Sequence, residues 1–179
     1  MGNKHMKELI AVIITFFLVA LIVIQNTPQE TSQMLPKSPS FSLEDVASLS
    51  VRLKDKPDLE AKRDGDKWLL ANSGTPTYLN PLAIDQLLHD LQSMKVKRVA
   101  SANPEQFSLF SVADHEVVLQ DKAGKVLLDV FIGKPATDLT STYIRLADEK
   151  LVITVDKVLT WQVRRTQDAW LNKELPQNP

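Results

Sequence analysis

His115 stands between Asp114 and Glu116. A histidine flanked by carboxylates, in a chain with ample serines, has the ingredients of a hydrolytic triad. The spacing argues against one. Adjacent residues of a strand point to opposite faces, so Asp114 and Glu116 would not clamp His115, and no G-x-S-x-G, S-x-x-K or H-E-x-x-H motif marks a nucleophile or a metal site. His115 therefore reads as a solvated strand start, and His89 as an exposed residue on the polar side of a helix. Asp114, Glu116 and Asp138 remain as acids that a glycan or peptide hydrolase could pair across a cleft. Gly133-Lys134 follows a strand as in a phosphate loop, but G-x-x-x-x-G-K-[ST] is absent and Pro135 comes next. That glycine is expected to release the strand into the polar loop Lys134–Ser141, a candidate binding rim.

A second group of residues suits binding rather than reaction. Arg145, together with Arg164 and Arg165 after Trp161, forms a candidate positive spot for an anionic partner or a lipid headgroup. Trp161 and Trp170 lie in the last helical region, where either core packing or an interface would use them. Trp68 is assigned to the core.

The 179 residues carry 21 Lys+Arg against 22 Asp+Glu, a net charge of −1, with 44% hydrophobic residues. This balance excludes a wholly disordered chain and a strongly basic nucleic-acid binder. The absence of cysteine excludes a disulfide scaffold, a thiolate metal site, a cysteine nucleophile and an acylated N-terminal cysteine. Three scattered histidines leave little for zinc, and no cofactor is expected.

Leu9 to Ile24, LIAVIITFFLVALIVI, is uncharged and apolar all round. At 1.5 Å per residue it spans about 24 Å, short of a hydrocarbon core of roughly 30 Å, so as a short membrane helix it needs Glu8 and Gln25 near the interfaces or a thinned bilayer. No small-residue cleavage pattern follows, so the segment 9–25 reads as an uncleaved signal anchor. Lys4 and Lys7 precede it, which places residues 1–8 in the cytoplasm and everything after residue 25 outside. Ala11 and Thr15, four apart on one face, are candidate packing positions for a partner helix. Residues 26–40, rich in Pro, Ser, Thr and Gln, read as a linker able to span about 45 Å when extended.

Residues 41–175 read as one α+β domain: a mainly antiparallel sheet in two strand groups with packed helices, ahead of a short tail at 176–179. Strands are expected within Val46–Leu53 and over Leu59–Arg63, with a hairpin at Asp64-Gly65 leading into Lys67–Leu70. Asn80-Pro81 caps a helix whose stripe is Ile84, Leu87, Leu88, Leu91 and Met94. Asn103-Pro104-Glu105 opens a short helical turn. Four strands follow, His115–Asp121, Lys125–Ile132, Thr142–Leu146 and Leu151–Val155. The end reads as a helix over Lys157–Arg165 and a helical piece over Asp168–Leu171.

The order of Trp68-Leu69-Leu70, the helix Ile84–Met94, Phe107-Ser108-Leu109, Phe131-Ile132-Gly133-Lys134, Tyr143-Ile144-Arg145-Leu146 and a closing helix resembles the bacterial domain of unknown function 4340. The likeness covers roughly Val46 to Leu175. Two places depart from it: many members have Tyr-Gly-Leu at Phe107-Ser108-Leu109, and an arginine-rich motif at Asp168-Ala169-Trp170-Leu171. The resemblance implies a membrane-anchored periplasmic accessory subunit, acting beside an ABC transporter permease or an auxiliary protein of the gliding-motility type. It implies no catalytic residue. An envelope hydrolase and a ligand-binding sensor are the alternatives.

Overall fold

Asn80 and Pro81 set the start of the main helix. The Leu82 N–H donates to Asn80 Oδ1 at 3.1 Å, satisfying one of the open donors of the first turn, and Pro81 occupies the first helical position. In the computed structural model, which describes residues 35–172, helix α1 (Pro81–Ser93) buries Ala83, Ile84, Leu87, Leu88 and Leu91. Met94, just beyond it, completes the expected stripe.

The strands are β1 (Ser48–Leu53), β2 (Lys56–Asp64), β3 (Lys67–Leu70), β4 (Val96–Ser101), β5 (His115–Gln120), β6 (Val126–Pro135), β7 (Thr142–Leu146) and β8 (Val152–Val155). They form one sheet in the order β3-β2-β1-β5-β6-β7-β8-β4, with every neighbouring pair antiparallel. The expected two strand groups are therefore fused. β1 pairs with β5 from Ser48↔Gln120 to Leu53↔His115, and that ladder joins the first meander to the second.

β4 was not expected from the sequence. It pairs only with β8, carries the exposed charges Lys97 and Arg98, and slips register twice, as suits an edge that must not recruit another strand. Because β3 and β4 are the two outer strands, α1 links one edge of the sheet to the other.

The sheet buries side chains on both faces. On the α1 face, Leu49, Val51, Leu59, Ala61, Trp68, Val117, Leu119, Val130, Ile132, Ile144, Ile153 and Val155 form the main core with the helix. On the opposite face, a 3-10 turn (Pro104–Phe110) packs a smaller cluster in which Phe107, Phe110 and Phe131 surround Tyr143, Val112, Ala136 and Val152. Gly133 makes this close packing possible. A Cβ there would lie 2.2 Å from the Phe110 carbonyl oxygen and 3.0 Å from that of Tyr143. The expectation that Gly133 ends its strand is corrected: β6 continues to Pro135 through a register slip after Ile132, which shortens the expected Lys134–Ser141 loop.

The closing helix is also shorter than its sequence pattern. Only α2 (Thr160–Val163) and α3 (Gln167–Trp170) are helical between residues 157 and 171, one turn each. Leu159 provides no side-chain cap, and the backbone ahead of α2 is claimed by tertiary bonds. Thr142 Oγ1 donates to the Lys157 carbonyl at 2.7 Å and accepts from Leu159 N–H at 2.9 Å, while Thr160 Oγ1 donates to the Gly133 carbonyl at 2.8 Å.

Among the described residues, no helix is long and apolar enough to cross a membrane. The expected anchor at 9–25, with Ala11 and Thr15, and the tail at 176–179 lie outside the described residues. The end of the expected linker lies against the domain, since Val96 N–H donates to Ser38 Oγ at 3.2 Å.

Candidate functional site: a cleft beneath the C-terminal turns

Segment 77–79 lies along the β3 edge, with Leu70 N–H on the Thr77 carbonyl and Leu79 N–H on the Trp68 carbonyl. The chain's last described residues extend this pairing: Asn80 N–H donates to the Trp170 carbonyl at 2.8 Å, Leu171 bridges Leu79, and Asn172 N–H donates to the Tyr78 carbonyl at 3.0 Å. Trp170 is driven into the main core, 2% exposed. Between these turns and the meander β1–β3 lies a cleft of about 230 Å³. Val51, Leu53, Leu59, Leu70, Trp170 and Leu171 supply its apolar wall, and Lys56, Asp58, Glu60, Asn72, Arg165 and Gln167 its polar groups.

Arg165 sits between two indoles. Its guanidinium carbon lies 4.8 Å from the Trp161 ring centre and 5.4 Å from that of Trp170. Nη2 donates to Gln86 Oε1 at 2.9 Å, and Nε is buried without a hydrogen-bond partner. Among the described residues it makes no ion pair, and burial pulls its pKa down from the ordinary arginine value. The backbone carbonyl of Arg164 accepts from Lys56 Nζ at 3.0 Å, which ties the turn to the start of β2.

Three of the candidate interaction residues thus meet: Trp161, Arg165 and Trp170. Trp170 is core, Trp161 is half exposed, and Arg164 joins the group through its backbone. Arg145 does not. It pairs with Phe131 in the β6–β7 register and lies on the opposite face, 4.1 Å from the Phe131 ring centre and 6.0 Å from that of Phe107. Grouping it with Arg164 and Arg165 is corrected by the alternation of β7.

The candidate acids are separated. Glu116 takes Arg52 at 2.6 Å, Asp114 takes Lys54 at 3.4 Å, and Asp138 takes Lys97 Nζ and Ser141 Oγ, each at 2.8 Å. The bond from Lys97, with that from Ser141, holds the Asp138 carboxyl far below the usual carboxylate range. His115 is not the solvated residue expected. It is half buried, its Nδ1 has no hydrogen-bond partner, and burial pushes its pKa down.

Two features lay beyond sequence reasoning. Asp129 stands diagonally from Glu116 on the outer face, with Oδ1 buried and unpartnered. Burial raises its pKa, and the neighbouring Glu116 raises it further against the pull of Arg52 and Arg145. A lone aspartate inside the apolar run Val126–Ile132 was the available signal. The cleft wall had none, because Leu53, Leu59 and Leu70 read equally well as core. Among the described residues, no three His, Asp or Glu side chains stand together for a metal ion.

A sequence model of one family, described as a Domain of unknown function (DUF4340), matches residues 68–179. The match includes α1, β4–β8 and the C-terminal turns but leaves out β1 and β2, which form the opposite wall of the cleft. No curated protein and no solved structure matches the chain.

Proposed function

The chain belongs to the DUF4340 family, and on that footing we propose that it is a membrane-anchored extracytoplasmic binding subunit whose partner is the permease or an auxiliary subunit of an ABC-type transporter in the bacterial inner membrane. The apolar run Leu9–Ile24 supports the anchor. The observation that carries the binding role is the cleft under the C-terminal turns, where an apolar wall meets Arg165 between Trp161 and Trp170. Aromatic and arginine side chains of this kind dominate binding surfaces. A tether raises the local concentration of such a surface at its partner, commonly to about millimolar, so modest contacts suffice.

Isolation of the full chain from its native membrane in mild detergent tests the reading. The expected result is retention in the membrane after alkaline extraction and co-purification of a transporter subunit. A chain released by alkaline extraction, or purified without any membrane partner, overturns it.

A second reading, hydrolysis of envelope glycan or peptide, has one observation in its favour: the paired carboxylates Glu116 and Asp129, with the Asp129 pKa raised by burial. Hydrolysis of isolated envelope glycan or peptide by the purified chain, lost in folded Asp129→Asn, would favour this reading over binding.

A further inference from the structure

Taking a guanidinium out of water without an acidic partner costs free energy, and aromatic faces offset only part of that cost. The domain elsewhere supplies such partners: Lys97 has Asp138, Arg52 has Glu116 and Lys157 has Asp90. Arg165, packed between its indoles at the cleft, has none among the described residues. Its Nη2 is spent on Gln86 and its Nε is sealed from solvent, whereas Nη1 has neither a protein partner nor that seal. The acids beside the cleft do not supply the charge. Asp58 and Glu60 line the cleft, but neither forms an ion pair with Arg165: Asp58 Oδ1 accepts from Leu53 N–H at 3.4 Å, and Glu60 accepts from Asn72 at 2.6 Å.

The space next to this cation is small and has an apolar wall. Its roughly 230 Å³ is the room of about seven or eight waters at ~30 Å³ each. Drug-sized ligands need about 300–1,000 Å³, so the cleft suits one group the size of a large side chain. We propose that it binds the carboxylate end of a molecule whose adjoining group is apolar and about that size, such as a peptide ending in an apolar residue or a short fatty acid. The carboxylate supplies the missing counter-ion at Arg165 Nη1, and the apolar group lies against Leu59, Leu70 and Trp170. This rests on the binding reading above and gives its cleft a ligand class.

Two probe acids separate the two sources. The full chain in detergent is titrated with N-acetyl-phenylalanine and with hexanoate, each beside its amide, and with acetate, following the fluorescence of the tryptophans at Arg165. One charge-assisted hydrogen bond gives the acid an advantage of about tenfold or more over its amide. Arg165→Gln is expected to erase that advantage. Leu70→Phe, which leaves Arg165 intact, is expected to block both probes by filling the wall. Tighter binding of N-acetyl-phenylalanine identifies a peptide C-terminus, and tighter binding of hexanoate a fatty acid. Equal binding of acid and amide, acetate binding as tightly as the larger acids, or no saturable binding overturns the proposal. Because the amide comparison is made on the unaltered protein, misfolding of a variant does not blunt it. A transporter subunit that co-purifies with a chain blind to these acids would leave the binding role standing and remove this inference; acid binding without a membrane partner would do the reverse.

Discussion

The two faces of the sheet each hold an arginine against aromatic rings, and the two are treated differently. On the outer face, Arg145 lies 4.1 Å from the Phe131 ring centre, reaches the carbonyls of Leu146 and Ala147, and stands close enough to Asp129 to offset part of the rise in that carboxyl's pKa. On the α1 face, Arg165 has rings on two sides, one hydrogen bond and no acid. The outer face is closed by a 3-10 turn seated tightly over Gly133, whereas the α1 face keeps a cleft open beside its arginine. An arginine whose charge is answered locally is explained by the fold. One whose charge is not answered, beside empty apolar space, points to something outside the chain.

Gly133→Ala should break the outer face and gives the largest effect expected here. The new Cβ would meet backbone oxygens, which cannot swing aside as a side chain end can. Overpacking typically costs about 1–3 kcal/mol, and a contact this close belongs at the upper end, about 3 kcal/mol. Urea denaturation of the purified chain measures it. A loss below about 1 kcal/mol would show that the 3-10 turn shifts freely and that this face is not the tight one.

The arginines give the direct comparison, with a smaller effect. Arg145→Gln should lower stability by about 1 kcal/mol, since it removes a close ring contact and charge support for its surroundings. Arg165→Gln should cost no more than about half as much, because losing the rings is offset by removing an unanswered, desolvated charge. Paired denaturation curves test the order. If Arg165→Gln were the more damaging of the two, the charge at the cleft would be structural and its status as an open binding group would fall.

Much of the α1 face could be read from residues alone. Asn80-Pro81 and the stripe from Ile84 to Met94 fixed the helix, and the turns at Gly65 and Gly124 adopt the positive φ of 59° and 80° that hairpin glycines provide. Local chemistry sufficed for these. It did not for β4, where Lys97 and Arg98 obscure the apolar pattern because the strand lies at an edge. Nor did it for the helix expected over Lys157–Arg165, whose leading backbone is taken by Thr142, a residue distant in sequence. The site divides the same way. Trp161, Arg165 and Trp170 are near neighbours along the chain and also meet in space, while the facing wall comes from β1–β3, with no local pattern to announce it. Arg145 was grouped by charge, and strand alternation sent it to the far side.

The smallest effect probes the outer face through pH. Burial and the charge of Glu116 raise the Asp129 pKa above its ordinary 3.8, so the folded state holds this proton more tightly than the unfolded chain. Its contribution to stability is present in full below the unfolded value and is lost as pH rises through the folded one. At neutral pH the ionised, partly desolvated carboxylate is therefore a penalty, which Asp129→Asn removes. The variant should melt higher than the parent at pH 7, and the gap should close as both are acidified below about 4, where the parent's carboxyl is protonated too. The gain should be smaller than either change above, because Arg52 and Arg145 already offset part of the penalty. Thermal melts of both proteins between pH 7 and pH 3 measure the gap. A gap that stayed constant with pH would mean that Asp129 titrates as it does in the unfolded chain, and that Arg52 and Arg145 offset its burial in full.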